Sequence, residues 1–314
     1  MIQNLTKRYA DRLAVDDLSL TVETGEIFGF VGPNGAGKTT TIRILAGLLK
    51  PSLGEVFIAG HSVHKQTYEI KRLIGFMPDE FGVYPDLKTW EYLDFFAACY
   101  KIPEADRPGL IGGLLELVDL DHRKYDLVDK LTRGMKQRLS LARVLIHDPQ
   151  FLILDEPAAG LDPRARIEIR ELLVELAKMG KTIFFSSHIL ADVAEICHRV
   201  GIIEAGRLVA VGELEDMQRQ ILPLRKIHIA LLGNLVQAIQ LLESSQGVSS
   251  IDNSNPVGIS SGHQHLEITF SGDDQALSIL LADLVKSEIP ILHFSEDSRD
   301  LEEVFLQATK GLVT

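Results

Sequence analysis

Cysteine and basic residues are scarce in this chain of 314 residues. The two cysteines, Cys99 and Cys197, are too few and too far apart for a disulfide framework or a cysteine-based metal cluster, which fits a reducing cytoplasm. Lysine and arginine number 32 against 44 aspartate and glutamate residues, so the formal net charge is -12. Such an acidic surface repels nucleic-acid phosphates, and nucleic acid is therefore a disfavoured partner.

Long apolar runs are also absent. No stretch approaches the ~18 consecutive apolar residues that a membrane-spanning helix needs, and the N-terminus lacks the basic-then-apolar pattern of a signal peptide. The composition, 46% hydrophobic and 24% charged, is that of an ordinary globular protein. The length predicts one large domain and a smaller second one. Any function at a membrane then requires a partner that holds the chain there.

The pattern of apolar residues predicts a parallel α/β domain over residues 1–222. An apolar strand from Ile27 to Val31 leads into a glycine-rich turn, and a helical pattern from Thr39 to Leu49 follows, ended by Pro51. Residues 85–146 have helical patterns and few candidate strands, which predicts a helical subdomain. Further strand-like runs, separated by helical segments as in a parallel sheet with crossover helices, occur at 151–154, 182–185 and 200–203.

The pattern changes after Leu222 and Pro223, and residues 224–314 predict a smaller accessory α+β domain. Its strand-like and helical segments follow the order β-α-β-β-α-β, the split βαβ or ferredoxin-like arrangement. A last helix is predicted from Leu301 to Ala308. We expect this domain to serve dimer contact or regulation.

A phosphate-binding loop is the most specific motif. The sequence GPNGAGKT at 32–39 satisfies GxxxxGK[ST] between a predicted strand and a helix, and a chance match is on the order of 1%. Its glycines permit positive φ and close backbone approach to phosphates, and the following helix directs its positive end at the anion. Lys38 is predicted to reach the β- and γ-phosphates, and Thr39 to ligate Mg²⁺. ATP contacts are therefore expected from Gly32, Pro33, Asn34, Gly35, Ala36, Gly37, Lys38, Thr39 and Thr40.

A second motif, FLILDEP at 151–157, is an apolar strand that ends in two carboxylates. In a parallel sheet this strand delivers Asp155 and Glu156 to the edge where the phosphate loop opens. Asp155 is then expected to hold the Mg²⁺ shell, and Glu156 to polarise the attacking water as general base. Taken alone, this motif is better explained as a strand that ends in two solvated acids. Because the chain also contains the phosphate-binding loop, the catalytic interpretation is favoured.

These motifs and three others in the same order resemble the ATP-binding subunit of ATP-binding cassette (ABC) transporters over residues 1 to about 220. The segment LTRGMKQRL at 131–139 stands where the family has its LSGGQ signature, GLD at 160–162 matches its D-loop, and SSH at 186–188 matches its switch histidine. The resemblance implies a P-loop NTPase fold with a parallel core sheet, an N-terminal antiparallel β region and a helical subdomain.

The resemblance also implies a dimer that encloses two ATP molecules, with the signature of one subunit completing the phosphate loop of the other. Thr132 and the Gly134 backbone then contact the partner's γ-phosphate, and His188 contacts the γ-phosphate of its own loop. Tyr9 stands where the family places an aromatic residue that stacks on adenine. From the residues alone, a satisfied histidine at a strand end and a partly exposed surface tyrosine are the alternatives.

The sequence departs from the family pattern at Asp79 and Arg133. Asp79 replaces a glutamine that senses Mg²⁺; its carboxylate still accepts a hydrogen bond from a Mg²⁺-bound water, so we include it in the metal site and expect slower or differently coupled hydrolysis. Arg133 replaces a glycine and adds bulk and a fixed positive charge. It either faces away from the phosphate or contacts it.

The function that the resemblance implies is ATP hydrolysis coupled to transport through a separate membrane permease. The chain is then cytoplasmic, on the inner face of the membrane, and pairs with an identical or related ATPase subunit. The segment 298–306 is similar to the terminal segment of prokaryotic ATPase subunits of ABC-2 type exporters, which favours export. The aromatic residues around Trp90 are either core or part of a permease groove.

Two other functions remain as alternatives. A degenerate regulatory cassette would bind ATP and scarcely hydrolyse it, as the departures at Asp79 and Arg133 allow, although Lys38, Asp155 and Glu156 are intact. A soluble ABC ATPase acting on ribosomes or DNA would usually carry two cassettes and a basic surface, which this chain lacks.

Overall fold

The computed structural model describes residues 1–79, 82, 84–214, 216–217, 224–252, 264–296 and 305. The described chain divides into two compact units, within Met1–Leu214 and Glu215–Gln307. The predicted domain boundary at 222 and 224 falls at the edge of residues outside the described ranges and stays a prediction. In the described part of the chain, every helix is too short or too polar to span a bilayer.

The first unit is built from ten strands and seven α-helices among its described residues. The strands are β1 (Ile2–Tyr9), β2 (Arg12–Leu20), β3 (Ile27–Val31), β4 (Leu53–Ile58), β5 (His61–Ser62), β6 (Ile74–Met77), β7 (Phe151–Asp155), β8 (Thr182–Ser187), β9 (Arg199–Glu204) and β10 (Arg207–Glu213). The helices are α1 (Lys38–Leu45), α2 (Thr67–Leu73), α3 (Thr89–Cys99), α4 (Arg107–Leu117), α5 (Arg133–Leu145), α6 (Pro163–Lys178) and α7 (Leu190–Ala194).

A six-stranded core sheet carries the functional motifs. Its strand order is β10-β9-β3-β8-β7-β6, and the pairs formed by β6, β7, β8, β3 and β9 are all parallel. Every residue of β3 and of β8 is buried, as expected for strands covered on both faces by crossover helices. The carboxyl ends of these strands therefore meet at one edge of the sheet.

A second sheet of the first unit, with order β2-β1-β4-β5, is antiparallel and formed by the N-terminal strands. Its apolar side chains, such as Leu5 and Leu18, share one core cluster with Phe28 and Phe184 of the parallel sheet and Ile42 of α1. The stacked rings of Phe28 and Phe184 lie 5.6 Å apart between their centroids. The predicted α/β fold with its N-terminal antiparallel region is confirmed.

Helix α1 ends earlier than predicted. The prediction extended it from Thr39 to Leu49 with Pro51 as the stop, whereas the helix spans Lys38–Leu45. Gly47 adopts φ +70°, and the backbone N–H of Leu48 donates to the Arg43 carbonyl at 2.9 Å. This left-handed glycine closes the helix, so Pro51 is not the cause of its end.

The helices α3, α4 and α5 occupy the segment predicted as a helical subdomain. Tyr92 of α3 is completely buried, so this aromatic residue belongs to the core. Phe95, one turn along, is 45% exposed and contacts the 49% exposed Tyr84 edge to face, with 5.4 Å between ring centroids. The aromatic segment thus contains both a core residue and an exposed apolar pair.

The second unit has the element order β-α-β-β-α-β over β11 (Arg225–Leu231), α8 (Leu235–Ser244), β12 (Val248–Asp252), β13 (Gln264–Phe270), α9 (Asp274–Lys286) and β14 (Ile291–Glu296). Its antiparallel sheet has the order β12-β13-β11-β14. Alternate strand residues, such as Ile227, Ile229 and Ile268, join Leu242 and Leu284 of the two helices in one core. The predicted helix from Leu301 to Ala308 lies outside the described residues, apart from Phe305.

Arg225 joins three elements of the second unit. Its side chain, in a residue only 8% exposed, donates to Glu296 at 3.0 Å and to Asp274 at 2.9 Å. We expect Arg225→Met to destabilise this unit by about 2 kcal/mol, because charged hydrogen bonds to both acids are lost. The only tryptophan of the chain, Trp90, belongs to the first unit, so its fluorescence does not report on the second unit. Hydrogen exchange of β11 and β14 in the full chain is therefore the suitable measurement. Equal protection in Arg225→Met and in the exposed control Lys226→Met would contradict this.

Candidate functional site

The loop between β3 and α1 requires glycine at its ends. A Cβ at Gly32 would lie 2.3 Å from the carbonyl oxygen of Ile203, and a Cβ at Gly37 would lie 2.5 Å from that of Ala14. Gly37 also adopts φ +113° at the N-cap of α1, where no side chain caps the helix. The first N–H groups of α1 are therefore free of a side-chain cap, in the position where a helix N-terminus stabilises an anion.

Lys38 folds back over this loop. It is 6% exposed, and its Nζ donates to the carbonyl oxygens of Gly32 at 2.7 Å and Pro33 at 3.3 Å. The same Nζ lies 3.4 Å from Oε1 of Glu156. The ammonium group is thus held at the bottom of the loop and already faces a carboxylate.

Asp155 lies at the carboxyl end of β7, beside Ser186 of β8 in the parallel register. Its Oδ1 accepts hydrogen bonds from the hydroxyl groups of Ser186 at 2.7 Å and Thr39 at 3.4 Å. Asp155 is 2% exposed, and burial raises the pKa of its carboxyl above the ordinary value, while the two hydroxyl groups oppose that shift. A cation held here would offset the cost of burying the carboxylate.

Glu156 has a strained backbone and a carboxylate with several partners. Its φ of +50° lies in the left-handed region, which costs a residue other than glycine about 1–3 kcal/mol. Its Oε2 accepts a hydrogen bond from the backbone N–H of His188 at 3.2 Å and lies 2.7 Å from His188 Nδ1. Its other oxygen faces Lys38. Glu156 therefore bridges the phosphate loop and the histidine after β8.

Ser186 organises the two carboxylate residues. Besides its bond to Asp155, its Oγ accepts the backbone N–H of Glu156 at 3.1 Å. From sequence, Ser186 belongs to the histidine motif and has no predicted role of its own. No sequence signal identifies its contact with Asp155, because that contact depends on the pairing of β7 with β8.

A cavity of about 470 Å³ opens above the phosphate loop. It brings together most of the predicted site residues, and it adds Arg12, Ala14 and Ala159, which the sequence did not single out. Tyr9, opposite Arg12 in the β1–β2 hairpin, is 43% exposed. The lining residues are Tyr9, Arg12, Ala14, Pro33, Asn34, Gly35, Gly37, Lys38, Thr39, Thr40, Asp79, Glu156, Ala159 and His188.

The signature residues line a different, smaller cavity of about 260 Å³, together with Gly160 and the first turn of α6. Thr132 is the N-cap of α5, and its Oγ1 accepts the Met135 N–H at 3.3 Å. The guanidinium of Arg133 lies against Gly160, where a Cβ would be 2.6 Å from the Arg133 Cζ. Within one chain, therefore, Thr132 and Gly134 do not join Lys38, and Arg133 covers the D-loop.

The geometry combines a phosphate-binding loop, a buried cation, oxygen ligands of the kind that Mg²⁺ prefers and a carboxylate beside a histidine. Glu156 can accept a proton from a water molecule in the cavity, while Lys38 and the N-terminus of α1 neutralise phosphate charge. These are the components that phosphoryl transfer to water requires.

Comparison with known proteins agrees with this chemistry. The family described as ABC transporter matches residues 15–159. The chain is 37% identical to the bacitracin transport ATP-binding protein BcrA of Bacillus licheniformis, over 98% of this chain and 96% of that protein. It is 40% identical to the Nod factor export ATP-binding protein I of Burkholderia pseudomallei (strain 1710b), over 67% of this chain and 69% of that protein.

A solved structure of an ATP-binding cassette is similar as well. It is a dimer in a post-hydrolysis state bound to ADP and Pi, with a TM-score of 0.61 and 25% identity over 68% of this chain and 97% of that one. Together with the nearly full-length similarity to BcrA, this likeness establishes the family. The chain belongs to the ATP-binding, ATP-hydrolysing subunits of ABC transporters.

Proposed function

We propose that the chain hydrolyses Mg²⁺-bound ATP in the 470 Å³ cavity and uses this reaction to drive export through a separate membrane permease. The observation that supports the site most strongly is the convergence of Asp155 and Glu156, at the end of β7, with Lys38 at the phosphate loop. A buried ammonium group and two carboxylates meet there, although more than 100 residues separate the loop from the acids.

Nucleotide binding is assigned to the loop and its helix. The residues of the loop, from Gly32 to Thr40, surround the phosphates, and Lys38 pairs with the β- and γ-phosphates. The Thr39 hydroxyl and the Asp155 carboxylate would hold Mg²⁺, and Asp79, which lines the same cavity, would contact it through water. When bound, the ion neutralises charge on the phosphate oxygens. Tyr9 offers its exposed ring to the adenine base.

The hydrolytic role is assigned to Glu156. In this structure its carboxylate contacts Lys38 and His188, the two groups that the γ-phosphate would contact. Phosphate binding would replace both contacts and release the carboxylate toward the cavity. Glu156 then accepts the proton of the attacking water, whose oxygen bonds to the γ-phosphorus as ADP leaves, and His188 holds the phosphate in position.

A second ATPase subunit, identical or related, is proposed to complete the site. Thr132 and Gly134 line the smaller cavity of their own chain, so their proposed contact with a γ-phosphate requires a partner. A chain with Glu156→Gln should therefore double its mass in light scattering when ATP and Mg²⁺ are added, and should stay monomeric with ADP. A monomer at saturating ATP would contradict the proposed dimer.

The permease partner is proposed to lie at the membrane, with this chain on the cytoplasmic face. The exposed pair Tyr84 and Phe95 offers an apolar contact surface for it. Export is favoured over import by the similarity to a Nod factor export protein, and by the segment 298–306, which apart from Phe305 lies outside the described residues. The accessory unit is proposed to serve dimer contact or regulation.

A further inference from the structure

Gln137 is a buried polar residue that contacts the segment after Glu156. It lies in the second turn of α5, is 4% exposed, and its Nε2 donates to the carbonyl oxygen of Pro157 at 2.7 Å. Twenty residues separate the two partners in the chain. A buried carbonyl that loses its donor retains the full cost of its desolvation, so this bond fixes the position of Pro157.

The conformation that this bond holds is strained at Glu156. A residue other than glycine stays in the left-handed region only when its surroundings fix it there. On one side, the Glu156 N–H donates to Ser186 Oγ at 3.1 Å. On the other side, the Ala159 N–H donates to the Glu156 carbonyl at 3.0 Å, and the amide of Gln137 holds the carbonyl of the following residue, Pro157. Hydrogen bonds on both sides therefore fix the strained residue.

Other contacts bring the first turns of α5 close to the same loop. The guanidinium of Arg133 covers Gly160, and a Cβ at Gly134 would lie 3.1 Å from that of Ala165. Compared with these contacts, the Gln137 bond is fully buried and ends one residue from Glu156. Gln137 is therefore the member of this set that acts most directly on the direction of the Glu156 carboxylate.

We propose that Gln137 is a positioning residue for ATP hydrolysis, which holds Glu156 in its left-handed conformation and so directs its carboxylate at the attacking water. This inference rests on the proposed role of Glu156. Gln137 itself is not among the residues that line the cavity. Its loss should therefore lower kcat and leave ATP affinity unchanged.

The test compares Gln137→Met, which keeps the side-chain length and removes the donor, with Glu156→Gln and the double variant in the full chain. Single-turnover hydrolysis gives the rates, and equilibrium titration with ATP gives the affinities. We expect Gln137→Met to hydrolyse ATP about 10- to 100-fold more slowly, as for a small displacement of a catalytic group, with Kd within twofold of the wild-type value. The double variant should be no slower than Glu156→Gln alone, because both changes act on one step.

The control is Gln66→Met. Gln66 also bonds locally through its amide, to the Ser62 N–H and to His61, and lies outside the cavity lining. The Gln66→Met variant should hydrolyse ATP at the wild-type rate. If Gln137→Met does not fold, Gln137→Leu, which also removes the amide donor, takes its place.

Three results would overturn the inference: a wild-type rate in the Gln137 variant, a loss of ATP affinity equal to its loss of rate, or losses that multiply in the double variant. Full activity of Glu156→Gln would instead overturn the proposed function, because the carboxylate would then not be the general base. The two failures are therefore distinguishable.

Discussion

The variant Glu156→Gln is expected to hydrolyse ATP about 10²- to 10⁴-fold more slowly than the wild-type chain, the range that a general base contributes. Glutamine has the shape of glutamate and can keep a hydrogen bond with His188, but its amide does not accept a proton from water. The Glu156 side chain is 11% exposed and lines the cavity together with His188, whose Nδ1 lies 2.7 Å from its carboxylate. Phosphate release in a single turnover measures this rate.

The same substitution should strengthen ATP binding. The carboxylate of Glu156 lies 3.4 Å from Lys38 and so competes with the γ-phosphate for that ammonium group, whereas a neutral amide competes less. Glu171→Gln, at an exposed position of α6, is the matched control and should alter neither the rate of hydrolysis nor the affinity for ATP. An unchanged rate of hydrolysis in Glu156→Gln would remove Glu156 from the mechanism.

Removing the ammonium group of Lys38 should weaken ATP binding and so lower the rate of hydrolysis. Lys38→Ala removes a buried cation that pairs with the phosphates, and truncation of such a charged partner costs about 2–5 kcal/mol, at least roughly 30-fold in Kd. Titration calorimetry with ATP and Mg²⁺ measures the loss. Lys178→Ala, at the exposed end of α6, is the control for loss of one positive charge.

The two variants together separate the catalytic function from a regulatory one. A hydrolysing cassette loses turnover in both variants and loses ATP affinity only in Lys38→Ala. A degenerate module that only binds ATP would show no wild-type turnover for Glu156→Gln to remove. ATP affinity retained in Lys38→Ala would contradict the assignment of the loop in either case.

The loop and the acidic strand could be predicted from sequence because their chemistry is local. An anion site is defined within eight residues by glycines at fixed offsets, a lysine and a following helix. A wholly apolar strand is predicted to be buried inside a sheet, because a strand with an exposed face would carry polar residues there. The predicted end of α1 was wrong because the prediction took Pro51 as the stop, whereas Gly47, the only glycine between Thr39 and Pro51, closes the helix through a left-handed turn.

Contacts between distant segments could not be predicted in this way. The bonds from Ser186 to Asp155 and Glu156 depend on which strands are neighbours, and that order is β3-β8-β7 rather than the chain order. Arg133 is the first residue of α5, and the sequence does not show which residue its long side chain contacts. Its position on Gly160 depends on the loop between β7 and α6, 27 residues further along the chain.

The central claim is that this chain hydrolyses ATP in a Mg²⁺-dependent reaction at the site formed by Lys38, Asp155 and Glu156. The most direct test is phosphate release by the purified wild-type chain with saturating ATP, in Mg²⁺ and in excess EDTA. We expect turnover in Mg²⁺ and none in EDTA. ATP that binds without any phosphate release in Mg²⁺, or equal release in EDTA, would contradict it.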